Sequence, residues 1–257
     1  TGSVASGLER GVRRLSELNV IAGLLLMLFV LFTGPTVELL VTFLRSTGEY
    51  LYRVPAYSVG SGLGDATWRS SWTVFYWAWW IAWSPFVGMF IARISRGRTF
   101  RELVLGTLAV PTGVTFFWIT VFGQTALHGE LSGAPGIVDA VQSNVPTALF
   151  VLLERLPAGN VVAVLAVVCI VSFFVTSSDS ASLVIDIITS GGNEDPPVLQ
   201  RVFWAVSEGG VAAALLLGGG LKALQTMAIT SALPFTLVLL AACAALWRRL
   251  TQERDAR

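Results

Sequence analysis

Five tryptophans lie within twelve residues of the chain, in the stretch 72–83 that reads WTVFYWAWWIAW. The face of a tryptophan ring attracts a cation without removing its charge, which contributes about 0.5–2 kcal/mol per ring. A quaternary ammonium group has no N–H to donate, so hydrogen-bonding groups cannot select it, whereas stacked rings can. These residues therefore favour the binding of an alkylated cation.

Helical spacing gathers most of these rings on one broad face. At roughly 100° per residue, with Trp77 at about 0°, Trp79 falls at about 200°, Trp80 at about 300° and Trp83 at about 240°. Trp80 and Trp83 would lie about 12–16 Å along the helix from Trp72. An interfacial aromatic belt explains Trp72 but not rings at that depth. Packing within the helix bundle is the alternative to a binding box.

The dipeptide Ser84-Pro85 follows this aromatic run. Proline removes an N–H and clashes with the preceding turn, which would free backbone carbonyls around Ile81 and Ala82. Freed carbonyls are tolerated within a bilayer only beside protein or water, and broken helices form substrate sites in secondary transporters. We therefore expect a broken helix here, with a simple packing kink as the alternative.

A second polar cluster interrupts an apolar block in the sequence FFVTSSDSAS. The hydroxyls of Thr176 and Ser177 are hard oxygen ligands that suit sodium. The alternative is donation to carbonyls one turn earlier, which is routine in membrane helices. Acids within membrane helices are functional candidates by default, so Asp179 is either a proton relay or, as we favour, part of a structural network with Ser180 or Ser182.

Two further acids, Glu38 and Glu208, lie near or inside apolar blocks. Each is expected either to reach the membrane interface or to form a helix–helix hydrogen bond. With one histidine and with Cys169 and Cys243 in separate apolar blocks, no catalytic or metal-binding constellation is evident. The sequence therefore does not indicate an enzyme.

Composition places the chain in the membrane. Of its 257 residues 54% are hydrophobic and 13% are charged, and the mean hydropathy is +0.71, whereas soluble domains carry about 25% charged residues. The net charge of +1 gives no support for nucleic-acid binding. These features predict an all-α, polytopic membrane protein that lies in a lipid bilayer.

The apolar blocks predict six transmembrane helices in one domain, 19–247, because each block is long enough to cross a bilayer. A cytoplasmic loop or amphipathic segment (1–18) precedes this domain, and a short cytoplasmic tail (248–257) follows it. The segment at about 137–156 is predicted to be an amphipathic or re-entrant helix. The predicted spans are about 19–44, 71–94, 101–127, 158–188, 198–220 and 223–247.

Basic residues alternate between the two sides of these spans. One set of polar segments holds twelve of the 17 lysines and arginines, and the other set holds five. By the positive-inside rule both ends of the chain should be cytoplasmic. Because the chain starts at Thr1 without a signal-peptide pattern, we expect it to be a piece of a longer protein.

The stretch WTVFYWAWWIAWSPFVGMFIARISRGRT resembles the signature of the betaine/choline/carnitine transporter family. The resemblance extends to SGLERGVRRLSELN, FGQTALHGE, FFVTSSDSAS, GGNEDPPVLQRVFWA and GGLKALQT, and covers essentially the whole chain. It implies a LeuT-like transporter fold with two inverted repeats. This chain is similar to the second repeat plus one preceding helix, so the first repeat, which supplies other box residues, is absent from it.

The same resemblance implies the roles of individual residues. Trp80 matches the principal substrate-binding tryptophan, and Trp77, Trp79 and Trp83 match residues that line the substrate path. Thr176 and Ser177 match two sodium-coordinating hydroxyls, and Phe86 matches a residue of a second ion site.

The function implied is a secondary active transporter that imports a quaternary ammonium compound, glycine betaine or choline, for osmoprotection. No cofactor is implied, and Na⁺ is the expected coupling ion, with the proton as the alternative. We expect a multi-pass protein of the inner (plasma) membrane that assembles as a homotrimer. A non-transporting membrane subunit or osmosensor is the alternative function.

Overall fold

The computed structural model describes residues 1–2, 13–62, 64–193 and 196–255. Most of the predicted segment 1–18 therefore lies outside the described residues. Within those ranges the regular structure is helical and contains no strand, which confirms the all-α prediction. The helices are α1 (Arg13–Thr33), α2 (Thr36–Ser58), α3 (Ala66–Trp68), α4 (Phe75–Ile94), α5 (Phe100–Leu131), α6 (Ile137–Asn144), α7 (Ala148–Glu154), α8 (Gly159–Thr189), α9 (Val198–Thr230) and α10 (Ala232–Asp255).

Six helical segments of the described chain are long and apolar enough to cross a membrane. These six segments differ from the six predicted spans. The least apolar of them, Ile137–Glu154, is the segment that the sequence predicts to be an amphipathic or re-entrant helix. This segment is itself divided by a 3₁₀ turn at Val145–Thr147. The predicted fifth and sixth spans fall together in one helical stretch, Val198–Gln252.

The predicted first span, 19–44, is wrong as a single helix. It is interrupted at Gly34-Pro35, which separates α1 from α2. Gly34 lies so close to its surroundings that an added Cβ would be 3.0 Å from the Val30 carbonyl oxygen and 3.2 Å from Thr125 Oγ1. Pro35 has ψ 71°, which is outside the helical range, and a new helix begins at Thr36 and continues to Ser58.

The chain divides into two compact units, of which the first contains residues 13–59 and 97–177. In this unit α1 and α2 both pack against α5. Glu38 on α2 accepts a hydrogen bond from Gln124 Nε2 (2.9 Å) and contacts His128 Nδ1 (3.0 Å), both on α5. Glu38 therefore forms the helix–helix hydrogen bond that was one of its two predicted roles. The buried core of this unit includes Leu26, Val30, Leu39, Val121, Phe122, Leu153 and Ala166.

The second unit contains residues 60–96 and 178–255. In it α4 packs against α10 and α9. Helix α9 is kinked at Gly219 and Gly220, where the backbone leaves helical geometry. This kink lies at the end of the predicted span 198–220. The predicted last span, 223–247, does not match one helix, since α9 continues to Thr230 and α10 begins at Ala232.

The predicted break at Ser84-Pro85 is wrong, since α4 continues through Pro85 to Ile94. Proline leaves the carbonyl four residues earlier, that of Ile81, without an N–H donor. Ser84 Oγ donates a hydrogen bond to this oxygen at 2.8 Å. The neighbouring side chain therefore provides that oxygen with a donor within a continuous helix.

Candidate functional site

Helix α4 exposes two of the four predicted box tryptophans. Trp77 is 68% exposed and Trp80 is 69% exposed. They lie three residues apart, so their rings are neighbours on one helix face. Neither ring packs on another aromatic ring of the described residues, in contrast to Trp79. This face presents two large aromatic surfaces that the second unit itself does not cover.

The other two predicted box residues, Trp79 and Trp83, are less exposed than this pair. Trp79 is half-buried and packs edge-to-face on Phe75, with ring centroids 5.3 Å apart. Trp83 is 37% exposed and lines a cavity with Phe86. The four rings of the predicted wall therefore differ in exposure, with Trp77 and Trp80 the most exposed, and their role in binding stays a prediction.

The tryptophans that precede this face form a separate stack. Trp72 stacks on Tyr76 with ring centroids 6.0 Å apart, and on Trp68 at 6.5 Å. Trp72 lies in a π-helical turn, Arg69–Val74, before α4 begins. Trp72 therefore packs on rings other than the predicted box tryptophans, and its role as an interfacial anchor stays a prediction.

The two predicted sodium ligands lie on α8, at the end of the first unit. Thr176 is half-buried, and its hydroxyl lies 3.1 Å from the carbonyl oxygens of Ser172 and Phe173. This is the back-bonding that was the alternative to ion binding. Ser177 is exposed. Phe86 belongs to the second unit, where it packs edge-to-face on Phe235 with centroids 5.6 Å apart.

Asp179 is buried at 3% exposure, and its Oδ2 has no hydrogen-bond partner among the described residues. Of the two serines predicted to share a network with Asp179, Ser182 donates through Oγ to Glu208 Oε2 at 3.1 Å, and the network with Ser180 stays a prediction. Ser178 Oγ donates to the same oxygen at 3.2 Å. Glu208 on α9 therefore joins two hydroxyls of α8, which is the helix–helix bond that the sequence offered as one of its roles.

The sequence did not identify the partners of Glu208 or the setting of Asp186, which is fully buried on α8. The available signal was the spacing of Ser178 and Ser182, which places both hydroxyls on one helix face. The spacing did not indicate which acid on another helix would meet them.

A cavity of 240 Å³ lies beside this cluster in the second unit. Trp83 and Phe86 provide aromatic walls, Glu208 provides a carboxylate, and Ser231 provides a hydroxyl. Small side chains, Ala181 and Ala228 among them, leave the space open. The structure therefore places one predicted box residue, Trp83, beside an acid that the tryptophan signature does not include.

Residues 1–255 of the chain match the family described as betaine/carnitine/choline family transporter. The chain belongs to the betaine/carnitine/choline transporter family. Family membership explains the multi-pass character of the sequence, and the relatives are transporters and not enzymes. It also confirms the resemblance that the tryptophan signature indicated.

Named relatives carry several substrates. The chain is 46% identical over 251 residues to a glycine betaine/proline/choline transporter of Vibrio parahaemolyticus, covering 98% of this chain and 45% of the relative. It is 42% identical over 255 residues to the glycine betaine transporter OpuD of Bacillus subtilis, covering 98% and 49%. It is 41% identical over 252 residues to an ectoine/hydroxyectoine transporter of Virgibacillus pantothenticus, covering 97% and 50%.

The chain spans about half the length of these curated relatives. Their names cover both permanent cations and zwitterions, so membership in the family does not fix the substrate of this protein. The side chains that face the binding space must decide between them.

Proposed function

We propose that the protein is a secondary active transporter that imports a quaternary ammonium compound, glycine betaine or choline, for osmoprotection. The observation that carries the proposal is the exposed pair Trp77 and Trp80 on a helix of this transporter family. Exposed tryptophan faces within a membrane domain suit a cation that cannot be recognised by hydrogen bonds.

The proposed architecture is the second repeat, plus one preceding helix, of a LeuT-like transporter. In this arrangement the first repeat would face the Trp77/Trp80 surface and complete the aromatic box. Alternating access would then move one bundle against the other around Trp80. The exposure of these two rings supports the proposal, because rings that contact the first repeat in the complete protein would be exposed in this chain.

The coupling ion in this proposal is Na⁺, held by Thr176 and Ser177, with Phe86 beside a second ion site. The back-bonding of Thr176 is compatible with this role. A hydroxyl that donates its proton to a carbonyl keeps its oxygen lone pairs for another partner. Those lone pairs can contact a cation without placing a full negative charge in the membrane.

Sodium dependence tests this assignment. In the double variant Thr176→Ala/Ser177→Ala, the sodium concentration for half-maximal uptake of labelled glycine betaine should rise at least about tenfold, because a lost polar contact to a charged group costs about 1.5–3 kcal/mol. The measurement is uptake by cells that express the complete reading frame, with sodium stepwise replaced by potassium.

Thr107→Ala is the matched control, since the Thr107 hydroxyl donates to the Leu103 carbonyl in the same back-bonded geometry on α5. Its sodium dependence should equal that of the parent. Uptake that is equally fast in potassium and follows an imposed pH gradient would show that the proton is the coupling ion.

The proposed location is the inner (plasma) membrane, with both ends of this chain cytoplasmic and with three copies forming a homotrimer. The alternation of basic segments supports the orientation. Cysteine accessibility to a membrane-impermeant reagent, with single cysteines placed at 60 and 97, should label the first position from outside and the second only after permeabilisation.

A further inference from the structure

The 240 Å³ cavity of the second unit is lined by neither Trp77 nor Trp80, and its lining includes an acid. Two aromatic rings, those of Trp83 and Phe86, share it with the carboxylate of Glu208. An aromatic face and a carboxylate both attract a positive charge. The same lining would repel an anion.

The Glu208 carboxylate is held in place by two hydrogen bonds. Oε2 accepts from Ser178 and Ser182, at 3.2 and 3.1 Å. Oε1 is buried and has no hydrogen-bond partner among the described residues. An unpartnered carboxylate oxygen away from water is costly, and a cation beside it would offset that cost.

The cavity offers almost no hydrogen-bond donor. Apart from Glu208, the polar groups of its lining among the described residues are the indole N–H of Trp83 and the hydroxyl of Ser231, and this hydroxyl donates to the Ala228 carbonyl at 2.7 Å. A ligand carboxylate would therefore have at most the indole N–H of Trp83 as a donor and would meet the Glu208 carboxylate. A methylated ammonium group needs no donor, so it fits this lining.

Two further acids near Glu208 would carry the same negative charge. Asp179 and Asp186 on α8 both interact electrostatically with Glu208. Arg201 interacts with Asp186 but is not part of the cavity lining. Glu208 is therefore the one charged side chain that lines the cavity among the described residues.

We propose that this cavity is a second binding position for a quaternary ammonium group, and that Glu208 makes it selective for net cations such as choline over zwitterions such as glycine betaine. The proposal rests on the function proposed above. It assigns Glu208 a role in specificity that the exposed tryptophans cannot supply, because a ring face attracts the ammonium of either ligand.

The test separates the two positions by removing the Trp80 ring. The complete protein and its variants are reconstituted in phosphatidylethanolamine/phosphatidylglycerol liposomes, which contain no choline headgroup. Equilibrium binding of radiolabelled choline and glycine betaine is then measured. We expect the Trp80→Leu variant to lose glycine betaine binding but to retain saturable choline binding.

That residual binding should depend on Glu208. In the Trp80→Leu background, Glu208→Gln should weaken it about tenfold or more, because a cation loses its charged partner, while the amide oxygen can still accept from Ser178 and Ser182. Ala228→Leu, which fills the cavity and leaves the charge, should weaken it as well. Glu49→Gln is the control for charge, since Glu49 is 53% exposed on α2, and it should leave choline binding unchanged.

The outcomes separate this inference from the proposed function. If Trp80→Leu loses choline and glycine betaine together, or if Glu208→Gln leaves the residual binding intact, the second position is overturned and the Trp80 site stands. If the parent protein binds neither compound, both proposals fall. In phosphatidylcholine liposomes, weaker binding of free choline to the Trp80→Leu variant would support the site and identify the lipid headgroup as a competing occupant.

Discussion

A Trp80→Leu variant is expected to lose saturable uptake of labelled glycine betaine while it still inserts into the membrane. Trp80 is 69% exposed and packs on no other aromatic ring within the described part of the chain, so little packing depends on it. Loss of a desolvated ring face that contacts a cation costs about 2 kcal/mol or more, which lowers affinity at least about tenfold. The measurement is initial uptake rate against substrate concentration.

The control for this variant is Trp247→Leu on α10. Trp247 is 76% exposed, so the change in size and surface is the same, but the residue lies outside the aromatic face of α4. Its uptake should match that of the parent at equal amounts of protein in the membrane. Normal saturable uptake by Trp80→Leu would contradict the assignment of Trp80 to the substrate site.

The second large effect is expected at the kink of α9. Gly220 has φ +65° and ψ −165°, a backbone conformation that is essentially restricted to glycine. Gly220→Ala should therefore reduce stability by about 1–3 kcal/mol, although the space around it is open. Thermal unfolding of the detergent-solubilised protein, followed by fluorescence, should show a lower Tm.

Gly218→Ala provides the matched comparison two residues earlier. Gly218 is helical and an added Cβ would contact nothing within 4 Å. Alanine is favoured over glycine in a helix by about 1 kcal/mol, so this variant should be as stable as the parent or more stable. Equal Tm values for the two variants would show that the kink is not fixed by the backbone of Gly220.

Much of the architecture could be predicted from the sequence. Long apolar blocks separated by glycine and proline predict membrane helices, and the structure contains helices in each block. The Trp72–Tyr76 pair was also predictable, because residues four apart on a helix are neighbours, and the two rings stack. These features depend on residues that are close in the chain.

The effects of the prolines were not predictable in the same way. Gly34-Pro35 separates two helices, whereas Pro85 lies inside one. A proline leaves the carbonyl four residues earlier without its usual donor, and at both sites a neighbouring hydroxyl donates to it: Thr36 to Leu31 and Ser84 to Ile81. A replacement donor therefore does not decide whether the helix breaks. At Gly34 the chain packs closely against Thr125 of another helix, a contact that local sequence does not reveal.

By itself the sequence determined the apolar helical blocks, the family signature and the run of tryptophans on one helix, because these follow from composition and short-range spacing. Only the tertiary structure decided which rings project together and which acid meets Ser178 and Ser182. Glu208 is 30 and 26 residues from these serines in the chain. Helical periodicity gives the face on which a side chain lies, but only the placement of α8 beside α9 determines what that face contacts.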